Sequence, residues 1–192
     1  ITSPSAGAYI TNTTPTIEFQ VKDTDSGVNA GTIAVTVDGT VVSTVTKTAI
    51  DGGYKCTCTS PTLKDGSHTI SVKASDNDGN AAAAKTATFT VDTVPPTLQI
   101  TAPSNDLITN KKTVTVSGKT DDVSSKPVTV TVNGATVTVG TDGTFTKDVT
   151  LAEGANTITI VAKDKAGKTT TVTRKVTVDT SAPVIKSVTL TP

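Results

Sequence analysis

The chain has no tryptophan and no methionine, a single histidine, two cysteines and only five aromatic residues in 192. Tyr9, Phe19, Tyr54, Phe89 and Phe145 are scattered singly. Such a set offers no stacking platform for bases, and for sugars Tyr9 is the one surface candidate. One histidine cannot build a His-rich metal centre, and no carboxylate pair or Gly-rich phosphate loop accompanies His68 to make a catalytic site. The two cysteines, Cys56 and Cys58, are two residues apart. On a strand they share a face, with Cα atoms about 6.5–7 Å apart, at or past the edge of disulfide geometry. They read as small half-buried thiols. Dense runs of Lys or Arg are missing too, and the charge balances at 17 basic against 17 acidic residues. Nucleic acid is therefore not an expected partner. No apolar run is long enough for direct membrane insertion. A chain without methionine reads as a piece of something longer.

What the chain does have is threonine, about a quarter of all residues, with valine next. Both are stiff at χ1 and favour strands. No stretch keeps a 3.6-residue apolar period, so helix is not expected. The order of residues repeats. ITSPSAGAYITN (1–12) returns as ITAPSNDLITN (100–110), KDGSHTISVKASDNDGN (64–80) as AEGANTITIVAKDKAGK (152–168), and VDTVPP (91–96) as VDTSAP (178–183). Two modules of about 90 residues follow, 1–94 and 95–183, with 184–192 as the start of a further repeat or a linker.

Each module reads as seven short strands. In the first they fall at 9–10, 16–21, 32–37, 41–45, 54–60, 68–74 and 87–91. In the second they fall near 97–101, 113–119, 127–132, 135–139, 144–151, 156–162 and 170–178. Asp38-Gly39 and Asn133-Gly134 are tight hairpin turns at matching places. The fold class is all-β, two tandem antiparallel sandwiches of the immunoglobulin type. Pro95 and Pro96 make the link short and extended, which suits a semi-rigid rod.

Three motifs occur twice and in the same order. They are the D-x-x-G turn (Asp76–Gly79, Asp164–Gly167), the closing V-D-T-x-x-P (Val91–Pro96, Val178–Pro183) and the G-x-x-T-I-x-(V/I) strand entry (Gly66–Val72, Gly154–Ile160). In these the chain resembles the bacterial immunoglobulin-like repeats of large surface proteins and adhesins. The antibody hallmarks are missing: there is no tryptophan and no inter-sheet cysteine pair. The resemblance implies an exported, non-catalytic module at the cell surface or outside the cell, spacing a functional head. Its partners would be neighbouring repeats of the same chain and a protein or glycan receptor. The alternative it implies is an accessory ligand- or carbohydrate-binding module of a secreted enzyme.

Calcium is the one cofactor the residues suggest. A hard cation takes six to eight oxygens converging from loops. In this sandwich the loop after the second strand and the loop before the last strand share an end. In the first module they carry Asp23, Asp25, Asp76 and Asp78. In the second they carry Asp121, Asp122 and Asp164, and the linker adds Asp92; Ala166 stands where Asp78 does. The competing reading is that these are ordinary turn residues, since Asp caps nearby N–H groups, and the twelve-residue calcium loop with its closing Glu is missing.

Overall fold

A computed structural model describes residues 1–186. The expected further repeat at 184–192 falls largely outside those residues. The chain divides into two compact units. Unit 1 holds Ile1–Val94 with Val123–Lys126 and Lys165–Lys168; unit 2 holds Pro95–Asp122, Pro127–Asp164 and the chain from Thr169 on. Apart from one 3-10 turn, Ala30–Thr32, the regular structure among the described residues is all strand.

In unit 1 the strands are β1 (Tyr9–Ile10), β2 (Thr16–Lys22), β3 (Ala34–Val37), β4 (Thr40–Val41), β5 (Thr46–Ile50), β6 (Gly53–Thr59), β7 (Gly66–Lys73) and β8 (Lys85–Val91). They form one sheet in the order β1-β8-β7-β3-β4 and another in the order β2-β6-β5. Pairing is antiparallel except where β1 runs parallel to β8. Alternation decides the faces. Ile17 and Phe19 of β2, Val35 and Val37 of β3, Ile70 of β7, and Phe89 and Val91 of β8 are buried, and with Cys56 they form the core. Each such aliphatic or aromatic side chain contributes about 1.5–3 kcal/mol by leaving water.

In unit 2 the strands are β9 (Thr97–Ala102), β10 (Leu107–Thr109), β11 (Thr113–Asp121), β12 (Thr129–Val132), β13 (Ala135–Val137), β14 (Thr144–Thr150), β15 (Gly154–Lys163) and β16 (Thr169–Val178). The sheets are β10-β16-β15-β12-β13 and β14-β11-β9, so β10 stands to β16 as β1 does to β8. The core is almost wholly aliphatic, with Val116, Val130, Ile158, Ile160, Val176 and Val178 around Phe145.

The strand expectations need correcting in three places. The predicted strand at 41–45 stops at Val41, and the pairing partner of β6 is β5, Thr46–Ile50, which alternation alone did not single out. Its residues are nearly all exposed, because it is a sheet edge. In unit 2, β10 is an added edge strand of three residues. Among the described residues each unit therefore has eight strands rather than seven, and unit 2 has no counterpart of β5. There the middle of the repeat is shorter, and the chain returns to β14 through a tight turn closed by Gly143 N donating to the Gly140 carbonyl at 2.9 Å.

Candidate metal site and the aspartate loops

The V-D-T motif closes each unit in the same way. Asp92 N donates to the Ile10 carbonyl and Asp179 N to the Thr109 carbonyl, both at 2.9 Å, so each aspartate extends the pairing of the last strand with the first edge strand. Each carboxylate then caps its own turn. Val94 N donates to Asp92 Oδ1 at 3.1 Å and Ser181 N to Asp179 Oδ1 at 3.0 Å. The following threonine is clamped by an acid from the preceding loop. Thr93 donates N–H and hydroxyl to Asp65, and Thr180 does the same to Glu153. The Thr180 N–H foremost, with the Thr180 hydroxyl, holds the Glu153 carboxyl below the ordinary glutamate range.

The two aspartates differ in burial. Asp179 is exposed, whereas Asp92 has no exposed surface. Within unit 1, Ser125 donates its hydroxyl to Asp92 Oδ2, and Lys165 N donates to the Ser125 carbonyl at 3.2 Å. Ser125 was not singled out from sequence. The Ser-Ser pair after Asp121-Asp122 was its only signal.

In unit 2, Asp122 and Asp164 are each only 5% exposed, and they present carboxylate oxygens within 4.8 Å of each other. Asp121, the last residue of β11, faces solvent. Its backbone is tied to Thr97, whose hydroxyl donates to the Asp121 carbonyl at 2.9 Å. Asp92, Asp122 and Asp164 are the buried carboxylates among the described residues. Two buried carboxylates so close repel unless something positive lies between them. An all-oxygen donor set of this kind suits a hard ion such as calcium rather than zinc.

The other four aspartates are arranged differently. The loops that carry them do meet: Asn77 N donates to the Gly27 carbonyl at 3.0 Å and Asn77 Nδ2 to the Ser26 carbonyl at 2.8 Å. Asp23 Oδ2 takes Gly27 N at 2.6 Å. Asp76 takes both the N–H and the side-chain amide of Asn80 at 2.7 Å. The Asn80 side chain foremost holds the Asp76 carboxyl below the usual aspartate range. Asp25 and Asp78 point to solvent. No three carboxylates of this tip come within 4.8 Å of one another.

The single histidine, Tyr9, the two cysteines and the strand-centre Glu18 make local contacts. His68 is buried, its ring nitrogens facing Asp38 and the Lys64 carbonyl, and it stacks obliquely near Phe89 at 5.6 Å. Neither nitrogen is directed at a nucleophile. Tyr9 has Lys165 Nζ 5.1 Å over its ring, a cation–π contact on the face a sugar would need. Cys56 and Cys58 are both buried with free thiols, and burial pushes both thiols up. Glu18 pairs with Lys55 at 3.6 Å on the surface. Among the described residues no helix is long and apolar enough to cross a membrane.

Comparison with known proteins agrees with this architecture. Residues 3–93 match the bacterial Ig-like domain family, and residues 96–180 match domain B of glucodextranase. The chain is 30% identical over 185 residues to bacillopeptidase F of Bacillus subtilis (strain 168); the match covers 96% of this chain and 12% of that protein. Among solved structures, the fibronectin(III)-like modules of Clostridium thermocellum CbhA superpose with a TM-score of 0.52 at 19% identity, covering 92% of this chain and 91% of that one. A three-immunoglobulin fragment of titin superposes with a TM-score of 0.53 at 12% identity, covering 91% of this chain and 63% of that one. These two likenesses concern the fold alone. With the paired motifs and the two eight-stranded units, the family matches make the chain a tandem of bacterial immunoglobulin-like domains.

Proposed function

We propose that the chain is a non-catalytic spacer of an exported bacterial protein, and that calcium stiffens it, with Asp122 and Asp164 of unit 2 as the paired ligands. The observation that carries the calcium reading is that Asp122 and Asp164, both buried, bring carboxylate oxygens within 4.8 Å of each other. Paired carboxylate oxygens at that separation are the kind of donor set a hard cation takes.

The spacer reading is supported by the repeat itself and by the lack of an aromatic binding face. A second reading, an accessory module beside an enzyme, is favoured by two observations. Nearly the whole chain matches a small part of bacillopeptidase F, and its second half matches a domain of glucodextranase. Calcium stiffening is compatible with both.

Isothermal titration with calcium, alongside melting in calcium and in chelator, tests the metal. Stoichiometric binding lost in Asp122→Ala and Asp164→Ala, and kept in Asp121→Ala, is the expected result. Absence of heat and of any melting shift at millimolar calcium overturns it. To separate the two readings, the modules would be deleted from the parent protein. An accessory module changes the kcat/KM of the enzyme it adjoins, whereas a spacer leaves it unaltered.

A further inference from the structure

The surroundings of His68 are not those of a neutral core histidine. Nδ1 lies 2.7 Å from Oδ2 of Asp38, and Nε2 lies 2.7 Å from the carbonyl oxygen of Lys64. An ionised carboxylate and a backbone carbonyl can only accept. A neutral imidazole has one N–H, so in that form one contact sets a lone pair against a lone pair. Only the imidazolium donates on both sides. With the residue 9% exposed, an unmet polar contact there is costly.

Three elements make hydrogen-bond or ring contact with the imidazole. The β3–β4 turn contributes the Asp38 carboxylate. The segment 61–65 before β7 contributes the Lys64 carbonyl, while the charged side chains of that segment, Lys64 and Asp65, belong to exposed residues. Strand β8 contributes Phe89, which is uncharged. The segment 61–65 ends on Asp65, whose carboxylate clamps Thr93 in the V-D-T motif.

Unit 2 makes the same attachments without an ionisable group. Its hairpin turn is held by Asn133, which takes Thr159 N at 2.8 Å as Asp38 takes Thr69 N at 2.8 Å. The bond to the carbonyl four residues back is made by Asn156, whose Nδ2 donates to the Ala152 oxygen at 2.8 Å. The residue before Thr159 is the buried Ile158.

We propose that His68 is a pH-sensitive staple of unit 1, joining the Asp38 turn to the segment that holds the linker residue Thr93, and that unit 2 has no such device. When the imidazole loses its proton, one of its two bonds goes. The turn and the segment 61–65 then part more readily, and Thr93 is held less firmly through Asp65.

Amide hydrogen exchange on the whole chain, followed from mildly acid to mildly alkaline pH, tests this with an internal control. Protection of Thr69 N and Thr93 N, corrected for intrinsic exchange, should fall about tenfold across that range, the scale of one charge-assisted hydrogen bond. Protection of their counterparts Thr159 N and Thr180 N should stay level. In His68→Gln the amides of unit 1 should lose their pH dependence. Parallel behaviour of all four amides in the wild type overturns the proposal, as does a pH dependence that survives in His68→Gln. If that variant does not fold, the wild-type comparison of the two units still decides.

Discussion

Asp38 and Asn133 hold their hairpins with the same reciprocal pair of hydrogen bonds. Asp38 N donates to the Thr69 carbonyl at 2.9 Å and Oδ1 accepts from Thr69 N; Asn133 N donates to the Thr159 carbonyl at 2.8 Å and Oδ1 accepts from Thr159 N. Both residues sit at positive φ, 50° and 48°, followed by a glycine at 80°. Left-handed backbone is what a two-residue hairpin turn requires and what Asp and Asn tolerate best. Asn133→Ala should therefore lower the stability of unit 2 by about 1–2 kcal/mol, from one lost hydrogen bond plus left-handed strain. Denaturant unfolding checks it, and Asn133→Asp should cost far less.

Acid should act on unit 1 through Asp38. Burial pushes its carboxyl up, but the His68 hydrogen bond, the Thr69 N–H and the imidazole charge together leave it lowered. A carboxyl lowered in the folded state stabilises at pH above its unfolded value and loses that contribution as pH falls through its folded value. Asp38→Asn should flatten the stability profile of unit 1 below about pH 4, the range in which free aspartate titrates. The check is acid unfolding followed at Tyr54, which belongs to unit 1.

Gly118 should tolerate no side chain. A Cβ there would lie 2.6 Å from the Gln99 carbonyl oxygen and 2.7 Å from Phe145 Cζ. The first is backbone of β9 and the second a buried ring, so neither yields cheaply. It stands where the β11–β9 register shifts. Gly118→Ala should cost unit 2 about 1–3 kcal/mol, as overpacking does. A melting midpoint within a degree of wild type would contradict this.

The alternation of apolar residues was enough to read most of the strands. Ile17, Phe19 and Val21, or Val130 and Val132, declare an inward face by themselves. Edge strands did not declare themselves. Thr46–Ile50 buries almost nothing, and Val41-Val42-Ser43-Thr44-Val45 looks at least as strand-like. What excludes 42–45 from the sheets is the path of the chain from one sheet to the other, which no local pattern encodes. The aspartates show the same limit. Asp23 and Asp122 are both acids beside a second strand, and only tertiary packing buries one and leaves the other capping its own turn.

Cys56 and Cys58 should titrate as two free thiols in the denatured, non-reduced protein, and should react slowly in the native one. Burial disfavours both thiolates, and the thiolate is the nucleophile. Reaction with a thiol reagent should accelerate sharply at the unfolding transition. Fast labelling of the native chain, or a mass two hydrogens short, would contradict it.

Asp23 and Asp76 should stabilise unit 1 whether or not calcium is present. Their carboxylates already accept N–H groups of their own loops, Gly27 for Asp23 and Asn80 for Asp76. Removing either acceptor costs about 0.5–2 kcal/mol, the range for a cap on exposed backbone. That loss should be the same in millimolar calcium and in chelator. The variants Asp122→Ala and Asp164→Ala should behave in the opposite way. If their residues hold the ion, calcium at a hundredfold excess over its Kd adds about 2.7 kcal/mol to the native state, and the variants forfeit that gain only when calcium is there. Melting each variant in both buffers separates the two kinds of aspartate. A calcium-dependent loss in Asp23→Ala or Asp76→Ala would make the first tip a metal site as well.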